Sequence, residues 1–249
     1  MYGIASIGMT FVILLGDIDL STGTVISFVN ILCAHMMVNM GMNPVVAVLI
    51  SLVASTLIGV LNGFMVSTVG IPAIIATYAT QTAFMGLALI MCGGMPISGF
   101  SKGFAMIGQG YVGVIPIPVI IMAICFAIGS FILNKTYFGR YFYAVGGNVE
   151  AARLSGVNVK KWEMSAYIIC GILVGISAIF FTAAYTTVQP GYGDQYNNEA
   201  IAGCVMGGTS MAGGLASISG TVIGVFIIAL LQEGILALGF TKDYQLIIT

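Results

Sequence analysis

The sequence predicts an all-α, polytopic membrane protein. Hydrophobic residues make up 59% of the 249 residues and charged residues only 6%, and the mean hydropathy is +1.10. A soluble domain carries about 25% charged residues, so this chain lacks the polar groups needed to cover a water-exposed surface. Five of its seven Lys and Arg residues also fall within one short segment. The composition and this charge asymmetry together indicate membrane spans joined by short loops.

Eight apolar segments follow one another along the chain and predict about eight transmembrane helices. Each long segment can cross a bilayer as a helix, because a helix satisfies its own backbone hydrogen bonds in lipid. The seventh contains the sequence GGTSMAGG, so it either spans fully or forms a broken or re-entrant helix. The segments are Met1–Leu15, Thr24–Met40, Pro44–Val69, Ile71–Met91, Ile115–Leu133, Met164–Thr187, Ala200–Ala216 and Thr221–Gly239.

The two ends of the chain both lie in apolar runs. The first run is shorter than the about 20 residues that a full span needs. Another run begins near Tyr244 and stops at Thr249. The beginning has no basic region or cleavage pattern of a signal peptide. These features predict a fragment cut at both ends, and the lack of a polar linker predicts a single membrane domain over residues 1–249.

The basic segment Asn134–Glu163 is predicted to be a cytoplasmic loop. Outside it, the only basic residues are Lys102 and Lys242. Lys and Arg are concentrated in cytoplasmic loops of membrane proteins, which places this segment inside. If the spans alternate, Cys92–Val114 and Val188–Glu199 lie outside. The basic residues of the loop are Lys135, Arg140, Arg153, Lys160 and Lys161.

A short helix, Val149–Ser155, is predicted at the centre of this loop. A glycine turn precedes Asn148, which is a good N-cap, and Gly156 stands where a C′ glycine ends a helix. Glu150 in the first turn suits the helix dipole. Two turns are too short to be stable alone, so the helix is either an ordinary connector or an element that docks on another protein. The assigned residues are Asn148, Glu150, Ala151, Ala152, Arg153, Leu154, Ser155 and Gly156.

Polar residues near or within the apolar segments form a second group of candidates. Asp19, in GDIDLSTG, either braces a helix break or lines a pathway, or it caps the helix that follows, since a carboxylate at membrane depth is costly. Asn62 either bonds a neighbouring helix or lines the pathway. Gly207, Thr209 and Ser210 in GGTS form either a hinge near the pathway or a close helix contact.

Several motifs, taken in order, resemble bacterial ABC importer permeases for simple sugars of the ribose and galactose type. The stretch FGRYFYAVGGNVEAARLSGVNV is similar to the coupling loop of that family. GDIDLSTG, GVLNGFMVSTVGIPAIIAT, PISGF and EAIAGCVMGGTSMAGG followed by GTVIG fit the same family in the same order. Members have about ten spans, so the chain is expected to lack the first and most of the last.

The resemblance implies a transporter subunit and not an enzyme. ATP and Mg would be bound by a separate cytoplasmic ATP-binding cassette subunit, and the sequence agrees in having no GxxxxGK[ST] motif. The resemblance also implies a second permease copy in a homodimer, an extracytoplasmic sugar-binding protein, and a place in the bacterial cell (inner) membrane. Ribose is the first substrate expected and a galactose-type hexose the second. No metal site and no nucleic-acid partner are expected.

The chain departs from the family pattern in its predicted outer loop. The family usually has Tyr-Glu-Leu-Asp-Ala where residues Tyr196–Ala200 read Tyr-Asn-Asn-Glu-Ala, and an Arg common before the external Pro is Ala184 here. The family's outer gate and its contact with the binding protein are therefore not assigned to these residues. The alternative is that this segment is a solvated loop.

Three other classes remain open from the sequence. A branched-chain amino-acid ABC permease shares a similar loop, although GDIDLS and GGTS favour sugar. A secondary transporter would need more coupling acids or an ion site in its spans. An intramembrane enzyme would need a paired nucleophile and base.

Overall fold

A computed structural model describes residues 2–239, and most of them are helical. The apolar run near Tyr244 and Lys242 lie outside the described residues. The first four helices are α1 (Tyr2–Leu14), α2 (Thr22–Ala34), α3 (Pro44–Phe64) and α4 (Ala73–Cys92), and π-helical turns at His35–Asn39 and Met65–Val69 extend α2 and α3. The others are α5 (Lys102–Gln109), α6 (Ile117–Lys135), α7 (Tyr137–Gly147), α8 (Val149–Leu154), α9 (Val159–Ala184), α10 (Gln195–Met206) and α11 (Ile218–Ala237).

Four two-residue strands were not predicted. Strand β1 (Ile97–Ser98) pairs antiparallel with β4 (Thr187–Val188), and β2 (Tyr111–Val112) pairs antiparallel with β3 (Ile115–Pro116). The β1–β4 pair joins two segments that the sequence assigns to the same, outer side of the membrane. Such short strands leave the protein in the all-α class.

The multi-pass membrane class predicted from the sequence is confirmed. Within residues 2–239, six helices are long and apolar enough to cross a membrane: α2 and α3 with their π-helical turns, α4, α6, α9 and α11. The other two apolar segments are also helical but shorter, since α1 has 13 residues and α10 has 12. The structure thus has six long spans in its described part where the sequence predicted about eight.

The predicted loops contain more helix than expected. Helix α5 lies inside the predicted loop Cys92–Val114, and its start is capped by Ser101, whose hydroxyl accepts from the Phe104 backbone N at 3.3 Å. Segment 134–163 is mostly α7 and α8, and its last residues begin α9. The segment Ala200–Ala216 is broken, because α10 ends at Met206 before two glycines.

The core forms around α1 and α9. From Gly3 to Leu14, every residue of α1 is buried, and α9 packs against α1, α2, α3 and α5. Small residues allow the α3 and α9 backbones to approach closely, as expected for membrane helices. A Cβ atom added at Gly59 would lie only 2.5 Å from the carbonyl oxygen of Tyr167. The Ser55 hydroxyl donates to the Gly171 carbonyl across the same contact, at 2.6 Å.

Candidate coupling helix and buried polar sites

Helix α8 is fixed at both ends by its own sequence. The Asn148 side chain accepts from the backbone N of Ala151 at 2.9 Å, so the predicted N-cap is present. At the other end, Gly156 has φ of +82°, and the Val157 backbone N donates to the Ala152 carbonyl at 3.0 Å. This is a Schellman ending, which satisfies carbonyls that the helix leaves free. The helix ends at Leu154, one residue before its predicted end.

The outer surface of α8 is apolar on one part and charged on another. Ala152 is buried against the rest of the protein, whereas Leu154 is 86% exposed and Val149 is 41% exposed. Arg153 and Glu150 form an ion pair in which both side chains are exposed. An exposed pair of this kind contributes little stability, so its charges remain free to meet a partner.

An aromatic cluster holds α7 on α9. Trp162 is buried, and its ring stacks on Tyr141 with centroids 4.9 Å apart. The rings of Phe142 and Phe138 meet Trp162 edge-on at 5.3 and 5.6 Å. Edge-to-face and offset contacts stabilise aromatic pairs beyond their burial. The segment that carries α8 is therefore anchored to a long central helix.

Three chain segments meet just before α8, and we call this contact the Gly146 junction. They are the end of α7 at Gly146, the end of α1 at Leu14, and the loop between α10 and α11. The Gly214 backbone N donates to the Leu14 carbonyl at 2.9 Å. The Tyr143 hydroxyl donates to the Ala216 carbonyl at 2.8 Å, and burial raises the pKa of this phenol. The junction links the end of α7, which leads into α8, to the end of α1 and to the loop after α10.

Asp19 and Asn62 belong to one hydrogen-bonded network. The Asp19 carboxylate accepts from the Ser21 backbone N at 2.8 Å and from the Ser21 hydroxyl at 2.6 Å. The Asn62 amide donates to that hydroxyl at 2.8 Å, and the Thr80 hydroxyl donates to the Asn62 carbonyl oxygen at 2.6 Å. The network ties the turn before α2 to α3 and α4. Asn62 thus bonds the neighbouring helix α4 through Thr80, which was one of the two alternatives given for it.

Asp19 organises a turn in this conformation. Ser21 precedes the first residue of α2 and makes no side-chain capping bond, whereas the Asp19 carboxylate accepts from the Ser21 backbone N at 2.8 Å, the type of bond expected of a capping acid in the turn that starts the helix. The cavity beside Asp19 and Asn62 has a volume of about 10 Å³, which holds no more than one water molecule. The turn has a second support, because the Tyr167 hydroxyl donates to Asp17 at 3.2 Å.

The three candidate residues of the GGTS sequence, Gly207, Thr209 and Ser210, each make different contacts. A Cβ at Gly207 would overlap the backbone of Gly220, so Gly207 provides a close contact between α10 and α11. Thr209 is buried, and within residues 2–239 its hydroxyl has no hydrogen-bond partner. The Ser210 backbone N donates to the Leu215 carbonyl at 2.9 Å, which shapes the loop after α10.

The segment 188–199 is not a free outer loop. The Gly193 backbone N donates to the Ser27 hydroxyl at 2.8 Å, and Asp194 accepts from the Thr24 hydroxyl at 3.0 Å. These bonds hold the segment against the first turns of α2, and α10 begins at Gln195. Sequence reasoning missed this packing. The only signal was the small, polar and aromatic composition of GYGDQYNNE, which also suits a solvated loop.

No metal site was found in the described part of the chain. Residues 2–239 contain no group of three His, Cys, Asp or Glu side chains placed to hold an ion. All five cysteines lie in this part and are free thiols.

Comparison with known protein families assigns the chain. The family described as "Branched-chain amino acid transport system / permease component" matches residues 1–249. The chain belongs to this family. It is therefore the permease component of a transport system and not an enzyme, and it is a multi-pass protein of the bacterial cell (inner) membrane. No solved structure was found to match it.

Curated relatives carry more specific names. The chain is 41% identical over 248 residues to the ribose import permease protein of Bacillus subtilis (strain 168), covering 99% of this chain and 77% of the relative. It is 39% identical to the ribose import permease protein of Haemophilus influenzae, covering 98% and 76%. It is 30% identical over 307 residues to the xylose transport system permease protein of the same species, covering 99% and 82%.

Proposed function

We propose that this protein is the membrane-spanning subunit of an ATP-driven monosaccharide importer, with ribose as its first substrate. The supporting observation is 38–41% identity to ribose import permeases over nearly the whole chain. The family description names branched-chain amino acids, but these relatives and the xylose permease are named for sugars. A galactose-type hexose is the second candidate for the transported sugar. The alternative of a branched-chain amino acid as substrate is not favoured.

Transport in this proposal proceeds by alternating access and requires partners. A separate cytoplasmic subunit binds ATP and Mg, since the sequence has no phosphate-binding GxxxxGK[ST] loop. A second copy of the permease completes the pathway. A soluble binding protein delivers the sugar from the extracytoplasmic side.

Uptake by the reconstituted system tests this function. The full-length permease, its ATP-binding subunit and its sugar-binding protein are placed in proteoliposomes, and ATP-dependent uptake of labelled ribose, galactose and leucine is compared. We expect ribose to accumulate fastest and leucine not at all. Accumulation of leucine without ribose would select the amino-acid alternative, and ion-driven uptake without ATP would select a secondary transporter.

Helix α8 is the proposed contact with the ATP-binding subunit, within the proposed cytoplasmic coupling loop 134–163. Its caps hold a rigid short helix, and its exposed Leu154 and Val149 lie beside the Arg153–Glu150 pair. An exposed apolar residue next to charges fits a groove with a hydrophobic floor and a polar rim. Movement of α8 would reach α1 and the loop after α10 through the Gly146 junction.

Charge reversal on α8 is expected to uncouple transport. Arg153→Glu breaks the ion pair with Glu150 and places two carboxylates one turn apart. We expect weaker association with the ATP-binding subunit and a fall of about tenfold in sugar-stimulated ATP hydrolysis, the size of a lost interface anchor. Replacing Val149–Ser155 by a Gly-Ser sequence should have the same effect. Co-purification and ATP hydrolysis in proteoliposomes measure it.

The matched control is Lys102→Glu. Lys102 begins α5, in the segment predicted to lie on the other side of the membrane. This change reverses one basic residue without touching α8, so association and stimulated hydrolysis should remain at the wild-type level. Equal values for Arg153→Glu and the wild type would refute the proposed role of α8.

A further inference from the structure

A cleft lined by tyrosines lies between α9, α10 and α11. Two adjoining cavities, with volumes of about 280 and 240 Å³, share Tyr185, Gln195 and Tyr196 in their walls. We call the combined space the tyrosine cleft. The first cavity also reaches Tyr192, and the second reaches Tyr2. Either cavity is far larger than the space beside Asp19.

One carboxylate of the cleft has an unmet hydrogen-bonding need. Glu199 is only 7% exposed. The Gln232 amide donates to its Oε1 atom at 2.8 Å, whereas its Oε2 atom has no hydrogen-bond partner within residues 2–239. Burying an unpaired carboxylate oxygen is costly, so such an atom points to a donor that binds there. A sugar hydroxyl is a donor of this kind.

The aromatic residues of the cleft suit the apolar C–H face of a sugar ring. The rings of Tyr2 and Tyr196 stack with centroids 5.7 Å apart, and Phe181 meets Tyr196 edge-on at 5.5 Å. These contacts fix flat apolar surfaces, and each tyrosine also carries a hydroxyl group. A monosaccharide has the matching pattern, because its ring has apolar C–H faces and a rim of hydroxyls.

The charge of the cleft disfavours anionic substrates. None of the described residues that line it is Lys, Arg or His. A sugar phosphate would bring an anionic group beside the carboxylates of Glu199 and Glu233, which is unfavourable in a site of low dielectric constant. A neutral polyol carries no such group.

The position of the cleft fits a substrate that arrives from outside. With the basic loop cytoplasmic, α11 starts at Ile218 near the cytoplasmic side, and Gln232 is about 21 Å further along its axis at 1.5 Å per residue. A hydrocarbon core of about 30 Å then places the cleft in the outer half of the membrane. Asp194, the residue just before Gln195 in the wall of the cleft, accepts from the Thr24 hydroxyl of α2 at 3.0 Å. The cleft is thus connected to the helix that follows the Asp19 turn.

We propose that the tyrosine cleft is the site where the permease holds a neutral monosaccharide, with Glu199 and Gln232 binding its hydroxyls and the rings of Tyr2 and Tyr196 facing its C–H surface. This inference rests on the proposed function, and it adds the place and chemistry of substrate contact. A shift at the Gly146 junction would reach the cleft along α1, whose outer end carries Tyr2.

Glu199→Gln tests the site with little change in shape. The amide oxygen can still accept from Gln232, but the charged acceptor is lost. A hydrogen bond to a charged group is strong enough that we expect KM for ribose delivered by the binding protein to rise about tenfold in proteoliposomes. We also expect weaker discrimination between ribose and 2-deoxyribose, a readout that general destabilisation would not move. Tyr196→Phe removes a hydroxyl but keeps the ring, and it should also weaken discrimination between ribose and 2-deoxyribose. This variant replaces Glu199→Gln in the test if the Glu199→Gln protein does not fold or express.

The matched control is Tyr78→Phe, because Tyr78 lies on α4 outside the cleft and is 60% exposed. This variant should keep the wild-type KM and discrimination. If the wild-type system fails to import ribose, the proposed function itself is wrong. If the wild type imports ribose while Glu199→Gln and Tyr196→Phe keep its KM and its discrimination, the cleft proposal is overturned and the proposed function stands.

Discussion

Gly146→Ala is expected to slow transport strongly by forcing apart the segments that meet at the Gly146 junction. A Cβ atom at Gly146 would overlap the carbonyl oxygen of Leu14 and would lie 2.9 Å from the backbone N of Gly214. Backbone atoms cannot move aside as a flexible side chain can, so α1 and α7 must separate. Overpacking of this kind costs about 1–3 kcal/mol, and it also breaks the contact that links α8 to α1. We expect ATP-driven sugar uptake to fall at least about tenfold and the thermal unfolding midpoint in detergent to drop.

The adjacent glycine provides the matched control for this prediction. A Cβ at Gly147 meets no atom within 4 Å, and its φ lies outside the left-handed region. Gly147→Ala should therefore leave uptake and the unfolding midpoint unchanged. The junction has no role in transport if Gly146→Ala and Gly147→Ala take up sugar at the same rate.

Asn62→Ala is expected to have the second large effect, on stability and on transport together. The side chain of Asn62 is buried and joins Ser21 to Thr80. Its removal leaves both hydroxyls without this partner in an apolar interior, and the loss of such a bridge costs about 3 kcal/mol. The turn that holds Asp19 should loosen because its support from α3 is lost. The thermal unfolding midpoint and the uptake rate measure both effects.

Asn39→Ala is the control for this substitution. Asn39 is exposed, and within residues 2–239 its amide hydrogen-bonds only the ring of His35 one turn away, at 3.0 Å. We expect a change in unfolding free energy within about 0.5 kcal/mol, as for other surface substitutions. An unfolding midpoint for Asn62→Ala as high as that of Asn39→Ala would show that the network does not stabilise the fold.

Local features were predictable from the sequence because they depend on residues close together in the chain. The N-cap at Asn148 and the C′ glycine at Gly156 each act within one helical turn, and both are present. The break in the segment Ala200–Ala216 follows from consecutive glycines and is also present. The boundaries of spans shifted by a few residues, and α5 was missed because its eight residues are fewer than the about 11–18 over which helical periodicity is recognised.

The functional sites were predicted only in part. Asp19 and Asn62 were each selected as polar residues near lipid, but nothing in the sequence joined them, because their link runs through Ser21. Glu199 was noted only as a departure from a family pattern. Its pairing with Gln232 brings together residues 33 positions apart, which no local rule foresees.

The sequence by itself determined that this protein is a multi-pass membrane protein with a capped helix in a basic loop. Amino-acid composition decides whether the surface of a chain can be in contact with lipid. Helix capping depends on residues that are adjacent in the sequence. Only the tertiary structure decided that Leu14, Gly146 and Gly214 meet at one junction, and that Tyr2, Tyr196 and Glu199 surround one cleft. The physical reason is that these contacts depend on how helices pack, and the packing is set by close contacts of small residues that are distant in the chain.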